Sequence, residues 1–223
     1  MRIKIVELLC KDLAAQHDFY GRVLELPVSL SAGRLEVQVG ESQLVFTQAP
    51  ADFDGAYHFA FNIPSNQFRA SRVWLTRRAR LLVDVDGVDE FRSESWNSDS
   101  LYFKDAAGNV LEFIARHALP NDTDLPFESR QLLSVSEIGL AAEDVLALAQ
   151  EFTSRLGLAV FKQEPSPTFT PLGDDDGLLI LPVRGRMWFP NSGVLAQLLP
   201  VRVVLEVNGQ LVTIRGVPYA VET

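Results

Sequence analysis

The sequence predicts an α+β fold built from repeated units of one strand, one helix and three strands. Three observations carry that expectation. The order of elements recurs along the chain, a set of side chains returns at a constant offset of 132 residues, and the 223-residue composition, 47% hydrophobic and 22% charged, is that of a globular protein with a sizeable core.

In the first unit Ile3 to Leu9 is strand-like, and Asp12 stands ready to cap a helix carrying Leu13, Phe19, Tyr20, Val23 and Leu24. Ser29 to Ser31, Leu35 to Val39 and Gln43 to Thr47 follow as short strands, parted by turn signals at Gly33 and Gly40-Glu41-Ser42. The second unit opens with a strand from His58 to Ile63 and a helix carrying Phe68, Val73, Trp74 and Leu75. It closes with strands near Leu81 to Val85, Leu101 to Lys104 and Val110 to Ala115. Arg77, Arg78 and Arg80 gather where that helix ends, either complementing the negative end of its dipole or offering an anion site.

His117 to Arg130, rich in Pro, Asn and Asp, reads as a linker. Beyond it Asp144, Phe152, Leu156, Leu158 and Val160 repeat the chemistry of Asp12, Tyr20, Leu24, Leu26 and Val28, which indicates an internal duplication. The helix of this third unit presents Val145, Leu148, Ala149, Phe152 and Leu156 on one face, so it should pack on a sheet. Strands are expected at Val160 to Lys162, Phe169 to Pro171 and Leu178 to Val183. Asp174-Asp175-Asp176-Gly177 is expected to be a hairpin turn, since consecutive carboxylates lack the alternating spacing of a calcium loop. From Val201 the chain offers strands Val201 to Val207 and Gln210 to Ile214 around Asn208-Gly209 and no helix, so the fourth unit is truncated.

The charge balance narrows the partners. Lys+Arg 20 against Asp+Glu 29 gives a net charge of −9, which argues against nucleic acid and anionic membranes. No apolar run approaches the roughly 20 residues of a membrane-spanning helix. Arg2, Lys4 and Glu7 interrupt any secretory signal and the single cysteine, Cys10, has no intrachain disulfide partner, so a cytoplasmic location is expected. Gly-x-Ser-x-Gly, His-Glu-x-x-His, P-loop and Gly-x-Gly-x-x-Gly motifs are absent, which leaves metal-assisted chemistry or none.

Several segments together resemble the vicinal oxygen chelate superfamily: the helix start Asp12-Leu13, the endings Phe19-Tyr20 and Leu24-Glu25-Leu26, the strand from Tyr57 to Ile63, and the hairpin from Tyr102 to Phe113. The usual Asp-Pro-Asp-Gly-Asn turn of that superfamily appears here as Asp105-Ala106-Ala107-Gly108-Asn109. The resemblance is good over residues 3–117, fair over 133–190 and poor beyond. It implies tandem βαβββ units forming half-open mixed β-barrels with flanking helices. The expected division is a first glyoxalase-like domain over 1–117, a linker over 118–132, and a second, degenerate glyoxalase-like domain over 133–223. Glyoxalases, extradiol dioxygenases, fosfomycin-resistance transferases, epimerases and metal-free bleomycin-binding proteins share this scaffold, so the resemblance does not choose a reaction.

The resemblance also implies a divalent metal bound by opening and closing strands. His58 and Glu112 match two ligand positions, a donor set suited to Zn, Ni, Mn or Fe(II). The matching position of the first unit is Ile5, which cannot ligate, and that of the third unit is Glu137. Pairing of the second and third units would unite His58, Glu112 and Glu137, whereas pairing of the first and second would leave two ligands. Each residue also has a plainer reading, His58 as a core histidine bonded to a carbonyl and Glu112 and Glu137 as solvent-side carboxylates.

Arg92, Trp96, Asn97, Ser100 and Tyr102 are candidate substrate contacts, with Tyr102 as a phenol donor and Glu112 as a proton carrier forming the catalytic pair. The alternative is an outward polar strand face with Trp96 in the core. Trp188 could cap a barrel or close an interface. His17 and His117 are expected at the surface, and Cys10 is expected to be a buried, inert thiol. The expected function is a metal-dependent lyase, isomerase or ring-cleaving dioxygenase acting on a small, oxygen-rich, chelating substrate. A metal-free small-molecule binding protein is the alternative, and a module whose sheet edges pair into a homodimer is a third.

Overall fold

The computed structural model describes residues 1–222. The first unit contains β1 (Arg2–Cys10), α1 (Leu13–Asp18) running into a π-helical turn at Phe19–Val23, β2 (Val28–Ser31), β3 (Arg34–Val39) and β4 (Ser42–Gln48). The second contains β5 (His58–Ile63), α2 (Phe68–Thr76), β6 (Phe91–Ser93), β7 (Ser98–Lys104) and β8 (Val110–Arg116). The third contains β9 (Ser134–Gly139), α3 (Val145–Leu156), β10 (Phe169–Asp174) and β11 (Gly177–Pro182). The last contains, among the described residues, only β12 (Val201–Val207), β13 (Gln210–Gly216) and β14 (Ala220–Glu222).

Helix starts follow the capping chemistry. The side chains of Asp12 and Asp144 accept hydrogen bonds from the backbone N–H of Ala15 and Ala147, satisfying donors that the first helical turn leaves free. Val145, Ala149, Phe152 and Leu156 are buried, as the stripe predicts. Arg78 is structural: its guanidinium lies 4.1 Å over the Trp74 ring and bonds Glu25 at 2.9 Å, so this one cation of the cluster braces the end of α2 on the first unit. The acidic run is the β10–β11 turn, where Asp174 accepts from the backbone of Asp176 and Gly177 and Asp175 meets Lys162 at 2.9 Å.

Two expected strands are reduced to single bridges. Val83 and Val85 are exposed, because Asp84 folds the segment back by accepting from the N–H groups of Asp86 and Val88, and only Leu81 bridges to Phe103. Val160 bridges to Leu172, but Lys162 at φ +50° turns the chain away.

The strands form two mixed seven-stranded sheets, ordered β14-β13-β12-β1-β4-β3-β2 and β10-β11-β9-β5-β8-β7-β6. Hydrogen bonding thus joins the first unit to the fourth and the second to the third. One apolar core lies between the sheets, with Val6, Leu8, Phe46 and Val203 on one side and Phe59, Phe61, Phe113 and Ile138 on the other. α1 is tied to the β7–β8 turn by a buried carboxylate. Asp105 accepts from Gln16 Nε2 at 2.7 Å, Tyr20 OH at 3.0 Å, Asn109 Nδ2 at 2.8 Å and the backbone N–H of Ala107 and Asn109. Burial pushes its pKa up even against these bonds.

Asp105→Ala would strand several buried donors at once. It is expected to lower unfolding free energy by about 3 kcal/mol in urea titration. A loss within experimental error would show that this network is replaceable by water.

Candidate metal centre and cavity

The centre is laid out by strand register. β5 is flanked by β8, running parallel, and by β9, running antiparallel, and Ala60 stands opposite Glu112 on one side and Glu137 on the other. Side chains alternate along a strand, so His58, Ala60 and Asn62 share one face while Phe59, Phe61 and Ile63 enter the core. The small Ala60 leaves the space between the carboxylates open.

Glu137 reaches that face only because β9 is irregular. The register shifts between Ala60 and Phe61, which pair with Glu137 and Val135, so Ser136 is the extra residue of a β-bulge. Strict alternation would put Val135 and Glu137 on one face; the bulge lets Val135 and Ile138 both enter the core and turns Glu137 to the other side. β1 carries the corresponding irregularity between Ile3 and Ile5, 132 residues earlier. There Ile5 pairs with Val204, in the other sheet, and takes no part in the centre.

His58 Nε2 lies 3.7 Å from Glu112 Oε2 and 3.9 Å from Glu137 Oε2, and the three donor atoms fall within 4.8 Å of one another. All three residues are at most 5% exposed. His58 Nδ1 is 3.0 Å from the Val110 carbonyl. A carbonyl can only accept, so Nδ1 donates to it and Nε2 is the ring nitrogen left facing the carboxylates. The backbone bond that a core histidine would make is therefore also what orients a ligand.

The donor chemistry fits a divalent cation. Among the described residues no Lys or Arg comes within 4.0 Å of Glu112. Burial raises its pKa from 4.5 to about 7, the charge of Glu137 adds to this, and His58, Ser100 and Tyr102 partly offset it. Metal–donor bonds of about 2.0–2.2 Å would bring the donors closer together than these distances. Glu137 already has one cation. Its Oε1 pairs with the fully buried Arg116, which donates from Nε to Asn62 Oδ1 at 3.3 Å and has Asp175 at 3.8 Å from Nη1. Arg116 lies four residues from Glu112 on β8, hence on the same face, a signal present in the strand pattern that sequence reading passed over.

The centre floors a cavity of about 630 Å³ lined from all seven strands of its sheet, as a half-barrel requires. Tyr102, directly across from Glu112, lines it with Ser100, Trp96 and Arg92. Burial and the charges of Glu112 and Glu137 hold the Tyr102 phenol well above its ordinary pKa, so it is a proton donor. Arg92 is bound to Glu94 and Asp99. Asn97 does not line the cavity; it sits in the β6–β7 turn at φ +51° and accepts from Arg92. His117 bonds Asp99 at 2.7 Å and His17 is half-buried on α1, both outside the centre. Burial pushes the Cys10 thiol up to about 11, leaving it unreactive.

A loop after β11 closes the cavity from the other side. Its Trp188 ring lies 4.6 Å from the His58 ring, and Phe189 packs edge-on against Phe91 and Tyr102. Trp188 rests directly on the sheet because Gly139 has no side chain: a Cβ there would sit 2.5 Å from the indole Cη2. Aromatic residues in a loop carry no periodicity, so the sequence left Trp188 between two roles.

No family model and no curated protein sequence matches the chain. Solved structures do. One titled "putative dioxygenase" from Bacillus subtilis superposes with a TM-score of 0.59 at 14% identity, over 82% of this chain and 63% of that one, which is less than two thirds of its length. A V278E mutant of glyoxalase I from Zea mays gives 0.57 at 14% identity, over 96% of this chain and 87% of that one.

This chain has the vicinal oxygen chelate fold.

The likeness establishes the architecture and no particular activity. Within the vicinal oxygen chelate fold, the centre lies where units two and three meet, the arrangement that unites an acid from the third unit with the second unit's His and Glu. Among the described residues no helix is long and apolar enough to cross a membrane.

Two outcomes test this geometry. The raised pKa of Glu112 means the folded, metal-stripped protein holds a proton that the unfolded chain releases, so this group's contribution to stability falls as pH rises from 4.5 to about 7. Glu112→Gln should therefore raise Tm over metal-stripped wild type at pH 8, with the gap closing near pH 5; a pH-independent gap contradicts the assignment. Gly139→Val should expel Trp188, seen as a red shift of tryptophan emission, while unchanged emission would mean the loop does not rest on the sheet.

Proposed function

We propose that this chain is a metal-dependent enzyme of the glyoxalase and dioxygenase type, acting on a small, oxygen-rich substrate that chelates through two oxygens. The observation that supports it most is the burial of one imidazole and two carboxylates, donor atoms within 4.8 Å, at the floor of a large cavity. His58, Glu112 and Glu137 would hold Zn, Ni, Mn or Fe(II), and an ion there supplies Lewis acidity to the substrate oxygens, with ring cleavage open only to a redox-active one.

The chain's own groups do the rest. The Val110 carbonyl keeps His58 Nε2 aimed at the floor, and Arg116 holds Glu137 by its other oxygen. Tyr102 keeps its proton and donates it as a hydrogen bond to oxygen developing negative charge. Glu112, with a pKa of about 7, is matched to carrying a proton at neutral pH in any state where it is not needed as a ligand. Trp188 and Phe189 add an aromatic wall beside His58 and Tyr102.

A metal-free binding protein is the second reading, favoured by the aromatic walls and by Arg116, which already neutralises Glu137. Elemental analysis separates the two. Protein purified without chelator, or reloaded with Mn, Fe(II), Ni or Zn, is expected to hold about one ion per chain, and His58→Ala and Glu112→Ala are each expected to cut occupancy at least about tenfold. Failure of the wild type to take up any of the four ions would leave the binding reading in possession.

A further inference from the structure

Apart from Glu112 at the floor, the charged residues around the cavity are neutralised by neighbours, with one exception. Glu90 is engaged by Arg72 at 2.9 Å, Arg92 by Glu94 at 3.1 Å and Asp99 at 3.3 Å, and Glu137 by Arg116. Arg186 also lines the cavity, yet among the described residues no carboxylate oxygen lies within 4.0 Å of its guanidinium. Its neighbour Arg184, outside the cavity, is held by Glu143 at 2.7 Å.

Arg186 is nevertheless placed, not loose. Its guanidinium lies 5.0 Å over the ring of Phe169, itself a wall residue. Its backbone N–H donates to Val183 O at 3.1 Å and its carbonyl accepts from Ala196 at 2.8 Å, which anchors the loop that carries Trp188. The cavity that Arg186 shares with the acidic floor also has the apolar Phe169, Ile180, Trp188 and Phe189 in its lining.

We propose that Arg186 is a specificity-determining residue that binds an anionic group, a carboxylate or comparable oxyanion, at the end of the substrate remote from the two oxygens held over His58, Glu112 and Glu137. This rests on the metal-chelating reading above and narrows its substrate to a flat, apolar-bodied molecule with an oxygen pair at one end and an anion at the other. The physical case is one of unmet demand. Arg186 is exposed while lining the cavity, so a ligand carboxylate gains there from the planar fork and from the lack of a competing carboxylate among the described residues. On a chain of net charge −9, an uncompensated cation at the cavity is also what offsets the general repulsion of an anionic ligand.

Benzohydroxamate offers two oxygens to a metal on a flat ring, and its 4-carboxy and 4-(2-carboxyethyl) derivatives add an anion at two reaches. In calorimetric titration of the zinc-loaded chain, at least one carboxylated probe is expected to bind about tenfold or more tighter than the parent. Arg186→Gln should abolish that margin, Arg186→Lys should keep part of it, Arg184→Gln should keep all of it, and high salt should shrink it. The proposal is overturned if neither carboxylated probe shows a margin, if the margin survives in Arg186→Gln, or if none of the three probes binds. Zinc content of the same samples separates the two levels: loaded protein without the margin removes the role of Arg186 and leaves the metal reading standing, whereas protein that takes up no zinc removes both.

Discussion

Everything at the centre depends on one strand having the right two neighbours. β5 contributes His58, and only because β8 lies on one side of it and β9 on the other do Glu112 and Glu137 come to stand across the same residue, Ala60. Had β5 paired with β1, the matching position would have been Ile5 and the centre would have had two donors. The bulge at Ser136 is the second half of this constraint. It reverses the facing of β9 partway along, sending Val135 and Ile138 into the core and Glu137 out of it.

The same sheet separates two environments. On its inner face phenylalanines pack against the other sheet and stabilise the fold by burying apolar area. On its outer face two carboxylates, an imidazole and an arginine lie nearly dry. Burying charge is costly unless it is paired, and the pairing here is incomplete: Arg116 answers Glu137, while among the described residues no Lys or Arg lies within 4.0 Å of Glu112. A polar cluster of this kind weakens the fold locally and is hard to explain as packing. The donor set is one that suits a divalent cation, with His58 Nε2 already oriented toward the carboxylates.

Much of this was legible in the sequence, and the reasons differ from residue to residue. His58 to Ile63 and Val201 to Val207 have the bounds that hydrophobic pattern gives them, and Asp12 and Asp144 cap their helices as their side chains predict. Glu137 was found by counting back from Asp144, since alternation alone would have put it in the core with Val135. Which units pair was not legible, because pairing is a long-range choice that no local pattern encodes. Valines at 83 and 85 favoured a strand and lost to the turn made by Asp84. Asn97 belonged to a polar run but supplies a left-handed turn position, and Trp188 and Arg186 sit in a loop where spacing carries no information.

The central claim is spatial: one ion, held between His58 Nε2 and the side chains of Glu112 and Glu137. Anomalous diffraction from a crystal of the wild-type chain loaded with manganese or zinc addresses it directly. The account predicts a single strong peak between those three side chains on the face of β5 beside Trp188. A peak elsewhere with that space filled by water, or no peak in loaded crystals, would contradict it.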